Sequence, residues 1–258
     1  MGHGSLLTGL NIPTPVGEDG YPTFDGWRES PWHRWMMESI EVAVKASQGR
    51  YFFTPAWGNH AGDNLSSARG ATQMLADIAV DSGWVRYALK EVSDYQIEVY
   101  EMLWERVEPI GLEGSVNYVR CWSPGRTAGF DCDVSCMIGV KDFQEIFLPP
   151  LVETMLTADH RLYHLDGPGA LHHVDTLLAV PELHVIQWVP GHLNESIAQW
   201  TSLLRRILRS GKGVIANIKP HEVEPLLDEL DPNGLFIQTH CKSEDEARRL
   251  TDRVAERF

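Results

Sequence analysis

The feature of this sequence that most constrains its fold is a regular alternation of apolar and amphipathic segments in its second half. Short apolar runs are separated by longer segments whose apolar residues have helical spacing. Strands that alternate with helices in this way indicate βα units and a parallel sheet. The apolar runs are continuous, which is typical of strands buried on both faces. The sequence therefore predicts an α/β fold.

Six segments have the composition of strands, at residues 50–54, 114–119, 161–165, 184–188, 213–217 and 235–239. Helices are expected at residues 31–47, 66–82, 83–109, 141–157, 170–180, 195–210, 220–230 and 243–258, with an interruption near Pro149 and Pro150. A complete (β/α)₈ barrel of the TIM type needs eight strands. Either residues 1–30 contain strands that the pattern does not reveal, or the barrel is shortened at its N-terminus. Residues 1–30 are expected to form an arm or loop, and residues 31–258 the barrel domain.

The charge and cysteine content exclude several classes of partner. The formal net charge is −14, and an acidic surface repels nucleic-acid backbones and anionic membranes. No apolar stretch has the length of a transmembrane helix, and the first residues lack the pattern of a secretory signal. The four cysteines are scattered, which argues against a disulfide framework. We therefore expect a cytoplasmic protein that binds neither nucleic acid nor membrane.

Polar residues collect just after the strand candidates, where ligands bind in parallel βα architectures. His164 and Asp166 are two residues apart at one strand end, so their side chains should point to the same side. Cys241 follows another strand, whose end a barrel would bring to the same rim. This mixture binds zinc or a similar ion, with one coordination position left open. The alternative is structural: a hydrogen-bonded histidine, a turn-forming aspartate and a small buried thiol.

A string of ordered segments resembles the uroporphyrinogen decarboxylase superfamily, including its cobalamin-dependent methyltransferases. The segments are residues 133–138, 143–149, 158–173 and 186–191, with Asp63-x-Leu65 and Arg69-Gly70 before them. The resemblance implies a (β/α)₈ barrel. In the methyltransferase branch it also implies a zinc held by a His-x-Cys-Gly strand end and a later cysteine. Here His164-Leu-Asp166-Gly167 and Cys241 match those elements, with an aspartate in place of the first cysteine, so weaker zinc affinity is expected.

Three functions are compatible with these residues. The first is methyl transfer, in which zinc or another divalent transition metal held by His164, Asp166 and Cys241 acts as a Lewis acid on a small methylated substrate. A corrinoid on a partner protein would exchange the methyl group. The second is a decarboxylase or lyase acting on a small acid, with Asp131 or Asp133 as general acid or base. The third is a non-catalytic barrel subunit that binds a small molecule.

The proposed reactions also need groups that transfer protons and bind the substrate. His172 or His173 could donate or accept a proton, and Arg126 is a further candidate catalytic residue. The predicted substrate pocket is lined by Trp57, Trp122, Gln187 and Trp188. A shortened barrel with exposed strand edges needs a partner, so we expect a homo-oligomer. The arginine-rich N-terminal segment of the true decarboxylases has no counterpart, so a porphyrinogen is not the expected substrate.

Overall fold

The computed structural model describes residues 17–24, 26–48, 50, 61–108, 113–191 and 196–257. The chain divides into two compact units, Met1–Arg161 and Leu162–Phe258. In the described residues the first unit is mainly helical, and the second alternates strands with helices. The strand predicted at residues 50–54 and the pocket residue Trp57 lie outside the described residues, apart from Arg50.

The first unit is built from helices on either side of a small β region. The helices are α1 (Pro31–Ser47), α2 (Ala61–Arg69), α3 (Ala71–Val80), α4 (Ser82–Val107), α5 (Val140–Asp142) and α6 (Leu148–Met155), with a π-helical turn at Phe143–Phe147 between the last two. The bounds predicted for α1 are confirmed. Its start is specified locally, because the Ser30 side chain accepts a hydrogen bond from the Trp32 N–H and Pro31 occupies the first helical position.

Two helix predictions in this unit are corrected by the backbone. The helix expected at residues 66–82 is instead the pair α2 and α3, separated at Gly70, whose φ of +86° favours glycine. The interruption expected at Pro149 and Pro150 is absent, because both lie in the first turn of α6, where backbone N–H groups need no helical partner. The irregularity of this segment is the π-helical turn that precedes the prolines.

The β region of the first unit contains β1 (Gly114–Val116), β2 (Trp122–Pro124) and β3 (Thr127–Phe130). Strands β1 and β2 form a separate antiparallel pair. The single strand predicted at residues 114–119 is therefore wrong in extent, since it ends at Val116 and pairs with a second short strand. The local cause is a tight turn, in which Arg120 N–H donates to the Asn117 carbonyl at 2.9 Å and the Asn117 side chain accepts from Cys121 N–H at 3.1 Å.

Gly129 in β3 gives a direct test of packing in this region. A Cβ at this position would lie 2.3 Å from Cε1 of Tyr118, far inside van der Waals contact. We expect Gly129→Ala to lower the free energy of unfolding by about 1–3 kcal/mol, measured by urea denaturation. The matched control is Gly83→Ala in α4, where the nearest atom would be 3.6 Å away and helix propensity favours alanine. Equal stability of the two variants would contradict the predicted clash.

The second unit is a run of parallel strands connected by helices. The strands are β4 (His160–Asp166, beginning two residues before the unit), β5 (Val185–Val189), β6 (Gly213–Asn217) and β7 (Leu235–Gln238), and the helices are α7 (Val174–Leu178), α8 (Thr201–Arg209), α9 (Val223–Glu229) and α10 (Glu244–Ala255). Strands β4 to β7 pair in parallel in chain order. The four strands predicted here are confirmed to within a residue or so at each end. Short 3₁₀ helices at Pro168–His173, Ile197–Trp200 and Pro220–Glu222 precede α7, α8 and α9.

The main sheet has the strand order β3-β4-β5-β6-β7. The predicted α/β class with a parallel sheet is therefore confirmed. Among the residues that the structure describes, the sheet has five strands and does not close into an eight-stranded barrel. Within the same described ranges, no helix combines the length and apolar character needed to cross a membrane.

Candidate functional site at the strand ends

The strands of the second unit present two faces of different chemistry. Alternate side chains of a strand point to opposite faces, and the register of β4 to β6 fixes which residues share a face. One face is apolar, and six of its side chains are at most 1% exposed: Tyr163, Leu165, Ile186, Trp188, Val214 and Ala216. The other face holds the polar residues toward the carboxyl ends of the strands: His164, Asp166, Gln187, Asn217 and Gln238. A polar site in this unit therefore belongs on the second face.

His164 and Gln187 form the central contact of this polar face. They are paired across β4 and β5, and His164 Nδ1 lies 2.6 Å from Gln187 Oε1. Because a carboxamide oxygen only accepts hydrogen bonds, Nδ1 carries the proton and donates. In this tautomer Nε2 holds the lone pair, which is the arrangement of a metal-binding imidazole. Gln187 is 5% exposed, so its amide is held in place by burial.

Asp166 lies beside His164 on the same face, and the carboxyl group is exposed to solvent. Ligand atoms of the two side chains lie within 4.8 Å of one another. The predicted pairing of these two residues at one strand end is therefore present in the geometry. Cys241, the third predicted ligand, follows β7 and is partly exposed. Among the described residues it does not belong to a group of three metal-binding side chains at this spacing.

The two candidate proton-transfer histidines lie in the 3₁₀ helix Pro168–His173, directly after β4 and Gly167. Their ring centroids are 3.9 Å apart and their planes are tilted by 47°. His172 is exposed, whereas His173 is 1% exposed. Only His172 can therefore exchange a proton directly with solvent, and its catalytic role stays a prediction.

The aromatic residues predicted to line a substrate pocket occupy different surroundings. Trp188 lies on the apolar face of the sheet, is fully buried, and packs edge-on against Trp200 at 4.9 Å between ring centroids. It therefore points away from His164 and contributes to the core. Trp122 lies in β2 of the first unit and is half exposed. The structure does not place Trp188 on the polar face, and the substrate contacts proposed for the tryptophans remain untested.

Arg126 of the first unit is held by carboxylates of α4 and of the residue that follows it. Its NH1 group lies 2.7 Å from Glu101 Oε2, and its Nε donates to Glu108 Oε1 at 3.1 Å. The guanidinium also lies over the ring of Trp104, with 5.3 Å to the centroid. These contacts connect the start of β3 to the end of α4. Arg126 thus has a structural role that the sequence did not indicate.

Asp131 and Asp133 of the first unit lie near the phenol of Tyr118, which was not among the predicted site residues. Burial raises the pKa of Tyr118 well above its usual value of 10.0, and the negative charges of Asp131 and Asp133 raise it further. Asp133 begins the 3₁₀ helix Asp133–Met137, and the Asp63 carboxylate accepts hydrogen bonds from Asp133 N–H at 2.9 Å and Val134 N–H at 2.8 Å. Tyr118 therefore stays protonated near two carboxylates at neutral pH.

Comparison with known proteins finds a likeness in structure. The fold is similar to that of a methyltransferase from Methanosarcina mazei, with a TM-score of 0.59 and 9% sequence identity. The superposition covers 95% of this chain and 70% of the other chain. No protein-family description matches the sequence, and no curated protein matches it. At this identity the likeness shows a methyltransferase-like fold alone.

Proposed function

We propose that this protein is a metal-dependent methyltransferase of the uroporphyrinogen decarboxylase-like type, which moves a methyl group between a small methylated substrate and a corrinoid on a partner protein. The observation that carries the proposal is the His164–Gln187 hydrogen bond beside Asp166, at the carboxyl end of a parallel sheet. The methyltransferase-like fold and the sequence resemblance support the same reaction class.

The donor atoms of the polar face fit a divalent transition metal. Imidazole nitrogen and carboxylate oxygen together suit zinc and its neighbours in the first transition row. The Nδ1–H of His164 is directed at Gln187 Oε1, and we propose Nε2 as the nitrogen that coordinates the metal. A catalytic zinc takes three protein ligands, and Cys241 remains the proposed third. When bound, the metal supplies Lewis acidity toward the ether, amine or thiol of the substrate.

The residues of the chain have separate tasks in this reaction. Gln187 fixes the tautomer and the ring plane of His164, so that the imidazole is oriented before a ligand arrives. His172 is exposed and can move a proton between solvent and the leaving heteroatom of the substrate. The corrinoid supplies the methyl carrier, on the partner protein. Burial of the apolar face through Leu165 and Trp188 keeps β4 and β5 in register.

The test is a corrinoid-dependent demethylation assay on protein loaded with zinc after chelation. We expect methyl transfer from a panel of simple methyl ethers, thioethers and amines only when metal and free corrinoid are both present. Cys241→Ala reports whether the thiolate is the third ligand, with Cys136→Ala, an exposed cysteine, as the matched control. Turnover that persists without corrinoid would reject methyl transfer. Zinc content unchanged in Cys241→Ala would remove this residue from the ligand set.

One observation favours a second candidate, a decarboxylase-like lyase acting on a small acid. Tyr118 stays protonated near Asp131 and Asp133, and a phenol with adjacent carboxylates can serve as a general acid and base. In that case Tyr118→Phe and Asp131→Asn would each abolish a corrinoid-independent activity. A corrinoid requirement in the assay above excludes this candidate.

A further inference from the structure

The polar face of the sheet continues beyond the proposed metal ligands, to the ends of β6 and β7. Asn217 and Gln238 are paired there across the two strands, on the same face as His164 and Asp166. Asn217 is exposed and Gln238 is partly exposed, so both carboxamides lie at an end of the sheet that solvent reaches. Asn217 is two strands from Asp166, which places their Cα atoms about 10 Å apart at the usual strand spacing. The reaction proposed above gives these carboxamides no task.

Lys219 belongs to the same group of side chains. The pairing of β6 with β7 extends past Asn217, because Ile218 N–H donates to the Gln238 carbonyl at 2.9 Å and the Ile218 side chain is buried. The backbone of Lys219 is also extended, with φ −76° and ψ 152°. Alternation of side chains along an extended segment therefore places Lys219 on the same side as Asn217. Its exposed side chain brings a cation to the end of the polar face.

The acidic residue nearest to Lys219 in the sequence is held by other donors. Glu222 is buried and accepts a hydrogen bond from Lys219 N–H at 2.8 Å and another from the Ser196 side chain. Its charge offsets part of the Lys219 charge. Within the described ranges, however, the Glu222 and Lys219 side chains do not form an ion pair with one another.

The donors that a ligand can reach at this strand end are side chains, not backbone groups. The N–H groups of Ile218, Lys219 and Glu222 already donate to oxygens of the protein, and Pro220 has no N–H. A phosphate is usually bound by several backbone N–H groups together, and here these groups are occupied. A carboxylate is a planar monoanion, and one ammonium group with two carboxamide N–H₂ groups can satisfy its oxygens. The chemistry of this group of side chains therefore favours a carboxylate over a phosphate.

Apolar side chains separate these donors from the proposed metal ligands. In the register of β4, β5 and β6, Val189 lies between Asp166 and Asn217 on the same face. Phe236 of β7 is on this face too, and it is 42% exposed. A ligand that reaches from the end of β4 to the end of β6 must therefore have an apolar middle portion.

We propose that Asn217, Lys219 and Gln238 bind the carboxylate of the substrate, which is therefore a small methylated carboxylic acid. This inference rests on the methyl transfer proposed above and names the substrate class for the same site. The carboxylate is held about 10 Å from the metal-binding end of the face, so it is not the group that reacts and it remains in the product. A divalent metal at His164 and Asp166 offsets the negative charge of Asp166, so that the face accepts an anion.

The test compares methoxyacetate, 4-methoxybutanoate and 6-methoxyhexanoate with the corresponding primary amides, by isothermal titration calorimetry on the full chain. On metal-free protein we expect the carboxylates to bind about fivefold more tightly than the neutral amides, because only the anion pairs with the ammonium group. On zinc-loaded protein the affinity should also depend on chain length, with the longer acids favoured, since both ends are then anchored at a fixed separation. Equal binding of carboxylates and amides to metal-free protein, or no binding of the carboxylates, would overturn the inference.

Variants of the three side chains locate the carboxylate. Lys219→Met removes the charge and keeps the length of the side chain, so it should abolish the preference for carboxylates over amides, while Lys219→Arg retains it. Asn217→Ala should weaken binding of the carboxylates as well. The matched control is Lys45→Met, which changes an exposed lysine of α1. Zinc affinity should equal that of wild type in all of these variants. An unchanged preference in Lys219→Met rejects the subsite.

The subsite and the proposed reaction can fail separately. In active enzyme, Lys219→Met should raise KM for the methoxyalkanoates by about fivefold with kcat little changed, because the contact is the same in the ground state and the transition state. Methyl transfer that is equally efficient from neutral methyl ethers would retain the reaction and reject the subsite. A carboxylate preference that disappears in Lys219→Met, without methyl transfer from any donor, would retain the subsite and reject the reaction.

Discussion

Replacing Asp77 with asparagine is expected to lower the free energy of unfolding by about 3 kcal/mol. The Asp77 side chain is 2% exposed, and its carboxylate accepts hydrogen bonds from Arg69 Nε at 2.6 Å and Gln73 Nε2 at 2.9 Å. Without the negative charge, the guanidinium of Arg69 loses its buried counter-charge. The effect lies at the low end of the usual range of about 3–5 kcal/mol, because Arg69 is 16% exposed and also donates to the Gly20 carbonyl at 2.8 Å.

The measurement is urea denaturation followed by tryptophan fluorescence, since Trp84 lies 5.4 Å below the Arg69 guanidinium. The matched control is Glu244→Gln in α10, which breaks an exposed ion pair with Arg248 and should change stability by at most about 0.5 kcal/mol. The double variant Arg69→Met with Asp77→Leu should be more stable than Asp77→Asn, because it removes both buried charges. Equal losses in Asp77→Asn and Glu244→Gln would show that the buried pair contributes no more than a surface pair.

The contribution of Asp77 also has a defined pH dependence. Burial raises the pKa of this carboxyl, but the hydrogen bonds from Arg69 and Gln73 outweigh burial and lower it below 3.8. A depressed carboxyl pKa means that the unfolded state binds the proton more readily. The stabilisation is therefore complete well above pH 4 and is lost as the pH falls through the folded-state pKa. The stability difference between wild type and Asp77→Asn should shrink below about pH 4.

Elements specified by local signals are the ones that the sequence predicted well. Helix α1 begins after the N-cap residue Ser30, with Pro31 at its first position. Strands β4 to β7 were predicted from short apolar runs separated by amphipathic segments. The hairpin of β1 and β2 was missed because its two strands have three residues each. Such short segments carry too little periodicity to be distinguished from a loop.

The part of the site that depends only on the alternation of side chains along one strand was predictable from the sequence. The two-residue spacing of His164 and Asp166 placed them on one face of β4, as the structure has them. The partner of His164 depends on the register between β4 and β5, which is a non-local property. Gln187 is the polar residue in the otherwise apolar strand Val185–Val189. This exception to the apolar pattern was the sequence feature that could have indicated a hydrogen-bonding role. The same alternation places the neighbouring Trp188 on the opposite face.

The hydrogen bond between Gln187 and His164 is expected to raise metal affinity substantially. Removing an outer partner of a metal-binding histidine typically costs 10–100-fold, so Gln187→Leu should weaken zinc binding by about this factor. His164→Ala removes the ligand itself and should weaken binding by more than about 100-fold, with Asp166→Asn also impaired. Competition titration with a chromogenic zinc chelator measures all of these affinities on the folded protein.

Gln187→Glu separates orientation of the imidazole from simple packing. A carboxylate at this position accepts a stronger hydrogen bond from Nδ1–H than an amide does, and this increases the basicity of Nε2. We therefore expect Gln187→Glu to bind zinc at least as tightly as wild type, while Gln187→Leu, of similar size, binds it more weakly. Gln199→Leu, at an exposed position in the 3₁₀ helix before α8, is the control for the substitution itself.

If Gln187→Leu retains wild-type affinity while His164→Ala loses it, the hydrogen bond does not orient the ligand. If His164→Ala also binds zinc normally, the polar face is not the metal site, and the proposed Lewis-acid chemistry fails with it.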